Sequence, residues 1–121
     1  MEIGYLPKAV AEHLNCPLGI AYLSAASLRH ILDRHQGTRT LEDALLEMLC
    51  LPAMVKNALW IADRRGEACM SYFDPASQHR FKGAAKAVAP GYEVYVTSFH
   101  VANPKQIKSL LRRGPVLQHQ R

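Results

Sequence analysis

The segment YEVYVTSFHV, residues 92–101, decides the fold because it is the clearest β-strand in the chain. It is rich in β-branched and aromatic residues, which favour a pleated and half-buried surface. Upstream, Arg80–Val88 is predicted to be a second strand, and the turn sequence Pro90-Gly91 lies between the two. The sequence therefore predicts an antiparallel pair of strands in the second half of the chain.

A hairpin is predicted before this pair. Ala58–Ala62 is short and apolar, the turn-forming sequence DRRGE follows at residues 63–67, and Ala68–Phe73 is the return strand. Together with the later pair, these segments make a roughly four-stranded antiparallel sheet.

Helices are predicted on both sides of these strands. Their boundaries follow from capping residues and from prolines, which start or stop helices. The segments are Pro7–Leu14, Ala25–Gln36 with Ser24 as its cap, Leu41–Cys50 with Thr40 as its cap and Pro52 as its stop, and Pro104–Arg113 with Asn103 as its cap. On the third, the residues Leu41, Ala44, Leu45, Met48 and Leu49 are expected to form a buried stripe. We therefore expect an α+β fold in one domain, residues 1–121, with N-terminal helices packed on the sheet and a C-terminal helix.

The composition excludes several classes of protein. The chain has 121 residues, of which 49% are hydrophobic and 21% charged, unlike a disordered or collagen-like chain. No apolar run approaches the ~20 residues that span a bilayer, so we expect no contact with a membrane and no secretory signal. Cys16, Cys50 and Cys69 are widely spaced and odd in number, which favours thiols in the cytoplasm over a disulfide framework.

The charge is divided unequally between the two halves of the chain. Residues 1–63 hold five Lys/Arg and seven Asp/Glu, a balance of −2, while residues 64–121 hold ten and three, a balance of +7. Such asymmetry favours an anionic partner, and nucleic acid comes first among these. An ordinary solvated surface with an excess of cations is the alternative.

The predicted strands carry several candidate binding residues. Arg80 and Lys82 project to the same side of a strand, and Lys86 extends the charge, so these cations can neutralise phosphates. On the last strand, alternation places Thr97 beside Tyr95 and Phe99, and Ser98 beside Val96 and His100. One hydroxyl must then lie on the open side of the sheet, where it can donate to a phosphate oxygen.

The second predicted helix carries two histidines, His30 and His35. Their spacing of five residues turns ~140° around the helix, which excludes the paired zinc ligands that need a spacing of four. His35 continues the apolar face of this helix, so it is either a core residue or a proton donor at the edge of a cleft. His30 lies on the polar side.

The chemistry that the chain lacks is also informative. It has no glycine-rich phosphate loop, no nucleophile elbow and no cluster of carboxylates suited to magnesium, so we expect no cofactor and no metal. Metal-independent cleavage of RNA needs only an acid, a base and groups that stabilise charge on phosphorus. His, Lys, Arg and Thr side chains can supply all of these.

The histidine-bearing helix and the VYVTSF segment, residues 94–99, together resemble the phage-encoded nuclease-like domains of the barnase–EndoU–colicin–RelE superfamily. The resemblance covers most of residues 18–113. It implies a compact fold with a four-stranded sheet and metal-independent endoribonuclease activity in a protein of a phage or mobile element, acting as a toxin. An RNA substrate and a cognate inhibitor protein are the partners that this implies.

By position, the resemblance favours particular residues as the site. The catalytic candidates are His30, His35, Lys82 and Thr97, and the nucleic-acid-binding candidates are Arg80, Lys86, Ser98 and His100. Two alternatives stay open from the residues alone. One is a module that binds nucleic acid or a protein without catalysis, and the other is a small scaffold that dimerises through its apolar helices.

Overall fold

Helices and strands alternate irregularly along the chain. The computed structural model describes residues 1–35, 40–88 and 93–121, with the side chains of Arg34 and His35 outside that description. The helices found there are α1 (Lys8–His13), α2 (Ala25–His35), α3 (Leu41–Met48), α4 (Leu51–Asn57) and α5 (Pro104–Leu111). The strands are β1 (Glu2–Tyr5), β2 (Ile20–Tyr22), β3 (Leu59–Ala62), β4 (Glu67–Asp74), β5 (His79–Val88), β6 (Glu93–Val101) and β7 (Val116–Gln118).

The strands of the described residues form one curled, seven-stranded sheet, in the order β1-β2-β6-β5-β4-β3-β7. From β3 to β6, each strand pairs antiparallel with the next one in the chain. The strand β7 is added antiparallel beside β3, and β1 pairs antiparallel with β2. The N-terminal pair joins the rest through a parallel contact, in which Ala21 of β2 lies opposite Val94 of β6.

The predicted α+β character is confirmed, but the predicted four-stranded sheet is wrong. The four predicted strands are the centre of the sheet, and β1, β2 and β7 extend it at both edges. These added strands have only three or four residues each, which is too short for alternation of apolar and polar residues to be recognised. The last described element is the strand β7, so the chain does not end in a helix as predicted.

A further helix, α4, was absent from the prediction because Pro52 was expected to end the preceding helix. In the structure α3 ends at Met48, and Pro52 lies in the first turn of α4. Proline is tolerated in a first helical turn, because the backbone N–H groups there have no partner within the helix.

The predicted helix caps are confirmed by hydrogen bonds to the backbone. The side chains of Ser24, Thr40 and Asn103 each accept from the amide three residues further on, at 3.0, 3.1 and 2.9 Å. These bonds satisfy amides that a helix leaves unpaired at its start, and they explain the start of α2, α3 and α5.

The main core lies between one face of the sheet and the helices α1, α2 and α4. Its largest members are Trp60, Phe81 and Phe99, and the rings of Phe81 and Phe99 stack with centroids 4.8 Å apart. The indole N–H of Trp60 donates to the Val55 carbonyl oxygen at 3.0 Å, so this buried polar group is satisfied. Ile31 of α2 belongs to the same core, which places that helix on this face.

The opposite face of the sheet is partly covered by α5. Leu110 of this helix is fully buried against Ile61 and Cys69, in a second and smaller apolar cluster. At the end of α5, the Arg113 guanidinium donates to the Asp63 carboxylate at 3.0 Å. Ala84 of β5 packs against the same cluster, whereas Phe73, Arg80 and Lys86 on this face are exposed.

The predicted buried stripe on α3 is largely wrong. Ala44 is buried and Met48 is half-buried, but Leu41, Leu45 and Leu49 are exposed. Residues four apart lie on nearly the same face of a helix, so the three leucines form one row. This row points away from the side of α3 that carries the buried Ala44. The side of α3 that packs on the protein is therefore narrower than the apolar pattern predicts.

Candidate nucleic-acid interface

Strand β5 separates its charged side chains from its buried ones. Arg80, Lys82 and Lys86 lie on one side, while Phe81 and Ala85 are buried on the other, as the two-residue period predicts. Positions two apart on one side of a strand are separated by about 7 Å. The cations are therefore spread along the strand and can meet different phosphates.

A β-bulge at Thr97 decides which side chains of β6 join these cations. The register shifts between Ala84 and Ala85, which pair with Ser98 and Val96 and leave Thr97 as one extra residue on β6. Val96 is buried, and Ser98 lies on the opposite face. The prediction that Ser98 and Val96 share a face is wrong, because an extra residue reverses the alternation beyond it.

With this register, charged, aromatic and hydroxyl side chains lie together on the side of the sheet opposite the main core. Tyr95 lies opposite Lys86, and Phe73 of β4 lies opposite Arg80. We call this surface the cationic face and define it by six residues. They are Phe73, Arg80, Lys82, Lys86, Tyr95 and Ser98.

One end of the cationic face combines charge with an aromatic ring. The guanidinium group of Arg80 lies over the Phe73 ring and donates to the Ser71 hydroxyl at 3.2 Å. The Phe73 side chain keeps 38% of its surface exposed. The hydrogen bond orients the exposed Arg80 side chain. The guanidinium group and the Phe73 ring can therefore contact the same ligand.

The other end carries a second aromatic ring. The Tyr95 hydroxyl donates to the Glu93 carboxylate at 2.7 Å, and this hydrogen bond raises the pKa of Tyr95 above its usual value. The phenol therefore stays neutral at physiological pH. Tyr22 of β2 lies beside it, with ring centroids 5.9 Å apart, and widens the aromatic surface.

Helix α5 adds positive charge next to this surface. Lys105, Lys108 and Arg112 are exposed. Since Leu110 packs α5 on the same side of the sheet as the cationic face, these cations raise the electrostatic potential there.

Two of the candidate site residues on β6, Thr97 and His100, have polar atoms that are hydrogen-bonded within the sheet or buried. The Thr97 hydroxyl donates to the Ala84 carbonyl oxygen at 3.4 Å, so it is occupied within the bulge. His100 lies opposite Lys82, but both of its ring nitrogens are buried. Neither side chain therefore presents a polar group to a ligand on the cationic face.

The structure does not bring the helical histidine His30 to the cationic face. Ile31, the next residue of α2, is buried in the main core, on the opposite side of the sheet from Lys82. His30 is exposed on the outer side of α2. The backbone of His35 ends this helix, and its side chain lies outside the described residues.

Two of the three cysteines, Cys50 and Cys69, are poor nucleophiles. Cys16 and Cys69 are buried and Cys50 is half-buried. Burial, with the nearby Asp74 charge, raises the pKa of Cys50 to about 12. Burial, with the hydrogen bond to the Asp63 carboxylate, raises the pKa of Cys69 to about 11. Because the thiolate is the reactive form, these raised pKa values make the two thiols weak nucleophiles at neutral pH.

Within residues 1–35, 40–88 and 93–121, no three His, Cys, Asp or Glu side chains form a group that could hold a metal ion. In the same ranges, no helix has both the length and the apolar character to cross a membrane.

Phe73 and Tyr95 are the members of the cationic face that sequence reasoning missed. Once β4 and β5 are paired from Glu67↔Lys86 onward, the register puts Phe73 beside Arg80, so the pairing itself was a usable signal. Counting the pairs of β5 and β6 from Val88↔Glu93 puts Tyr95 opposite Lys86 before the bulge is reached, so the same signal could have found Tyr95.

Comparison with known proteins finds no matching family, curated protein or solved structure. The assignment of a function therefore depends on the site itself.

Proposed function

We propose that the protein binds single-stranded RNA on the cationic face without cleaving it. The observation that carries this proposal is the shared register of β4, β5 and β6. It places Arg80, Lys82 and Lys86 on the same face of the sheet as the rings of Phe73 and Tyr95.

Each part of the surface matches one part of a single strand. Lysine and arginine neutralise phosphates, which supplies most of the affinity that does not depend on sequence. Exposed aromatic rings stack on the unpaired bases of a single strand. In a duplex the bases are stacked on one another and are not accessible to these rings. The Ser98 hydroxyl lies among these groups and can exchange a hydrogen bond with a ribose 2′-hydroxyl, the group that distinguishes RNA from DNA.

Cleavage is disfavoured by the positions of those catalytic candidates whose side chains the structure describes. Transesterification needs an accessible base within hydrogen-bond reach of the 2′-hydroxyl. His30 is on the outer side of α2, the ring nitrogens of His100 are buried, and the Thr97 hydroxyl donates to the backbone. Lys82 can stabilise charge on phosphorus, but none of these described candidates forms an acid–base pair with it.

We place this activity in the cytoplasm. Cys16, Cys50 and Cys69 are thiols, and a reducing compartment maintains that state. RNA is also available there.

The binding test uses fluorescence anisotropy with a labelled RNA of mixed sequence. We compare the wild type with Lys82→Gln/Lys86→Gln, which removes two charges from the cationic face. The matched control is Lys8→Gln/Lys56→Gln, which removes the same charge from the exposed sides of α1 and α4, the helices on the main-core side of the sheet. We expect the first pair to weaken binding by tenfold or more and the control pair to leave it near the wild-type value.

Salt dependence gives a second measurement. With three phosphate contacts, the logarithm of the affinity should fall against the logarithm of salt with a slope of about −2. Equal losses in the two double variants, or affinity that does not respond to salt, would exclude the cationic face as the binding surface. Single-stranded DNA and duplex RNA of the same length test the preference for single-stranded RNA, and both should bind more weakly.

A separate assay tests cleavage. Labelled RNA is incubated with the protein in excess chelator, and the products are examined for 2′,3′-cyclic phosphate ends. We expect intact RNA. If such ends appear and are lost in His35→Ala, the binding-only proposal is wrong, and the endoribonuclease prediction from sequence takes its place.

A further inference from the structure

Helix α3 exposes a row of leucines that nothing in the described structure covers. Leu41, Leu45 and Leu49 follow one another at intervals of four residues and are 56%, 46% and 75% exposed. Leu46 stands beside the row and is 59% exposed. Residues four apart lie one above another on a helix, so the row is a continuous apolar ridge along α3.

The size of this patch suits association of two proteins. The four leucines together expose roughly 400 Å² of apolar surface, comparable to the largest patch on a typical monomer, which is often functional. A standard interface takes about 800 Å² from each partner, so the leucines would supply about half of it as an apolar centre. The polar residues around them would then form the rim.

Symmetry and charge indicate which partner fits. The row is symmetric about Leu45, so a second copy related by a twofold axis sets Leu45 against Leu45 and Leu41 against Leu49. The acidic residues Glu42 and Asp43 lie in the first turn of α3. An antiparallel pair keeps the two acidic first turns apart and sets each one opposite the last turn of the other helix, where a carboxylate oxygen of Glu47 is buried. A parallel pair would bring the two acidic first turns together.

We infer that two copies of the chain associate through antiparallel packing of their α3 helices, with Leu45 at the twofold axis. Twofold dimers are the commonest symmetric assemblies, and they need a surface that complements itself, as this row does. The inference is independent of RNA binding, because α3 is not part of the cationic face.

The first experiment measures molar mass by light scattering over a wide range of concentration. The wild type should approach twice the 13.5 kDa of one chain. Leu45→Glu and Leu45→Lys should each be monomeric, because each places like charges at the axis. The matched control is Leu18→Glu, since Leu18 is also exposed but lies outside α3, and it should stay dimeric.

Mixing the two charged variants separates a lost interface from a lost fold. Glutamate opposite lysine at the axis should restore a mixed dimer, which neither variant could form if it were unfolded. A wild type that is monomeric at every concentration overturns the inference, as does a dimer that Leu45→Glu leaves intact.

Cross-linking then tests the orientation. Under mild oxidation, Leu45→Cys should form a disulfide-linked dimer, because the two residues meet at the axis. Leu41→Cys should not, because it faces Leu49 of the other copy. The wild type, treated in the same way, reports any background from Cys50. Efficient cross-linking of Leu41→Cys would show a parallel pair and contradict the inference.

Discussion

The guanidinium carbon of Arg80 lies 5.8 Å from the centroid of the Phe73 ring, on the open side of the sheet where β4 and β5 pair. A base that stacks on this ring brings its phosphate close to the guanidinium group. Phe73→Ala should therefore weaken RNA binding by about 1–3 kcal/mol, or roughly 5- to 150-fold, the range measured for one base–aromatic stack. Anisotropy with single-stranded RNA measures this loss.

The control for Phe73→Ala is Tyr5→Ala. Tyr5 is an aromatic residue with 73% of its surface exposed, and it belongs to the edge strand β1, away from β4 and β5. Its removal should leave RNA affinity unchanged. If both substitutions have the same effect, the ring of Phe73 does not stack on bases.

Gly114 should be essential for the docking of β7. A Cβ atom at this position would collide with the carbonyl oxygen of Ala62 in β3. Neither atom can rotate away, because the Cβ is bonded to the backbone and the oxygen is part of it. Gly114→Ala should destabilise the fold by about 2 kcal/mol or more, because overpacking forces backbone shifts. Thermal unfolding followed by circular dichroism measures the effect. Ser109→Ala, at an exposed position of α5, should unfold like the wild type.

The ion pair of Asp63 and Arg113 should stabilise the fold in a pH-dependent way. Burial raises the pKa of Asp63, but hydrogen bonds from Arg113 and Cys69 outweigh it and hold that pKa below its usual value. The stabilisation is then complete above the ordinary carboxyl pKa of about 3.9 and is lost as pH falls through the lower folded-state value. We expect less than about 1 kcal/mol, because the Arg113 side chain is 44% exposed.

Unfolding temperatures between neutral and acidic pH test this prediction. The difference between the wild type and Asp63→Asn should be constant near neutral pH and should shrink in strong acid. Arg113→Gln should behave in the same way, because it removes the other partner. An Asp63→Asn protein whose acid profile matches the wild type would show that the pair contributes nothing.

The thiols should react slowly in the folded protein. With its pKa raised from 9.0 to about 12, Cys50 has about a thousandth of the ordinary thiolate fraction at neutral pH. Labelling by iodoacetamide, followed for each cysteine peptide by mass spectrometry, should be much slower in native than in urea-unfolded protein. Equal rates for Cys50 in the two states would contradict this.

The strands β4, β5 and β6 could be predicted because they have eight, ten and nine residues and are bounded by turn residues. The strand β3 has four residues, but it is apolar and directly precedes a turn sequence. The edge strands could not, since β2 and β7 have three residues each and depend on neighbours for their pairing. On the surface, alternation was enough to group Arg80, Lys82 and Lys86. It failed for Ser98, because only the pairing with β5 reveals the bulge at Thr97. The exposed leucines of α3 show that an apolar pattern in the sequence does not specify how many of its residues are buried.

The parallel contact between β2 and β6 has a consequence for biosynthesis. Ala21 and Tyr22 emerge from the ribosome well before their partners Val94 and Tyr95, which lie far along the chain. Contacts between distant parts of a chain form slowly, because a long loop must close first. The pair of β1 and β2 therefore waits with its inner edge open, and a chaperone that shields a strand edge would improve the yield of native protein.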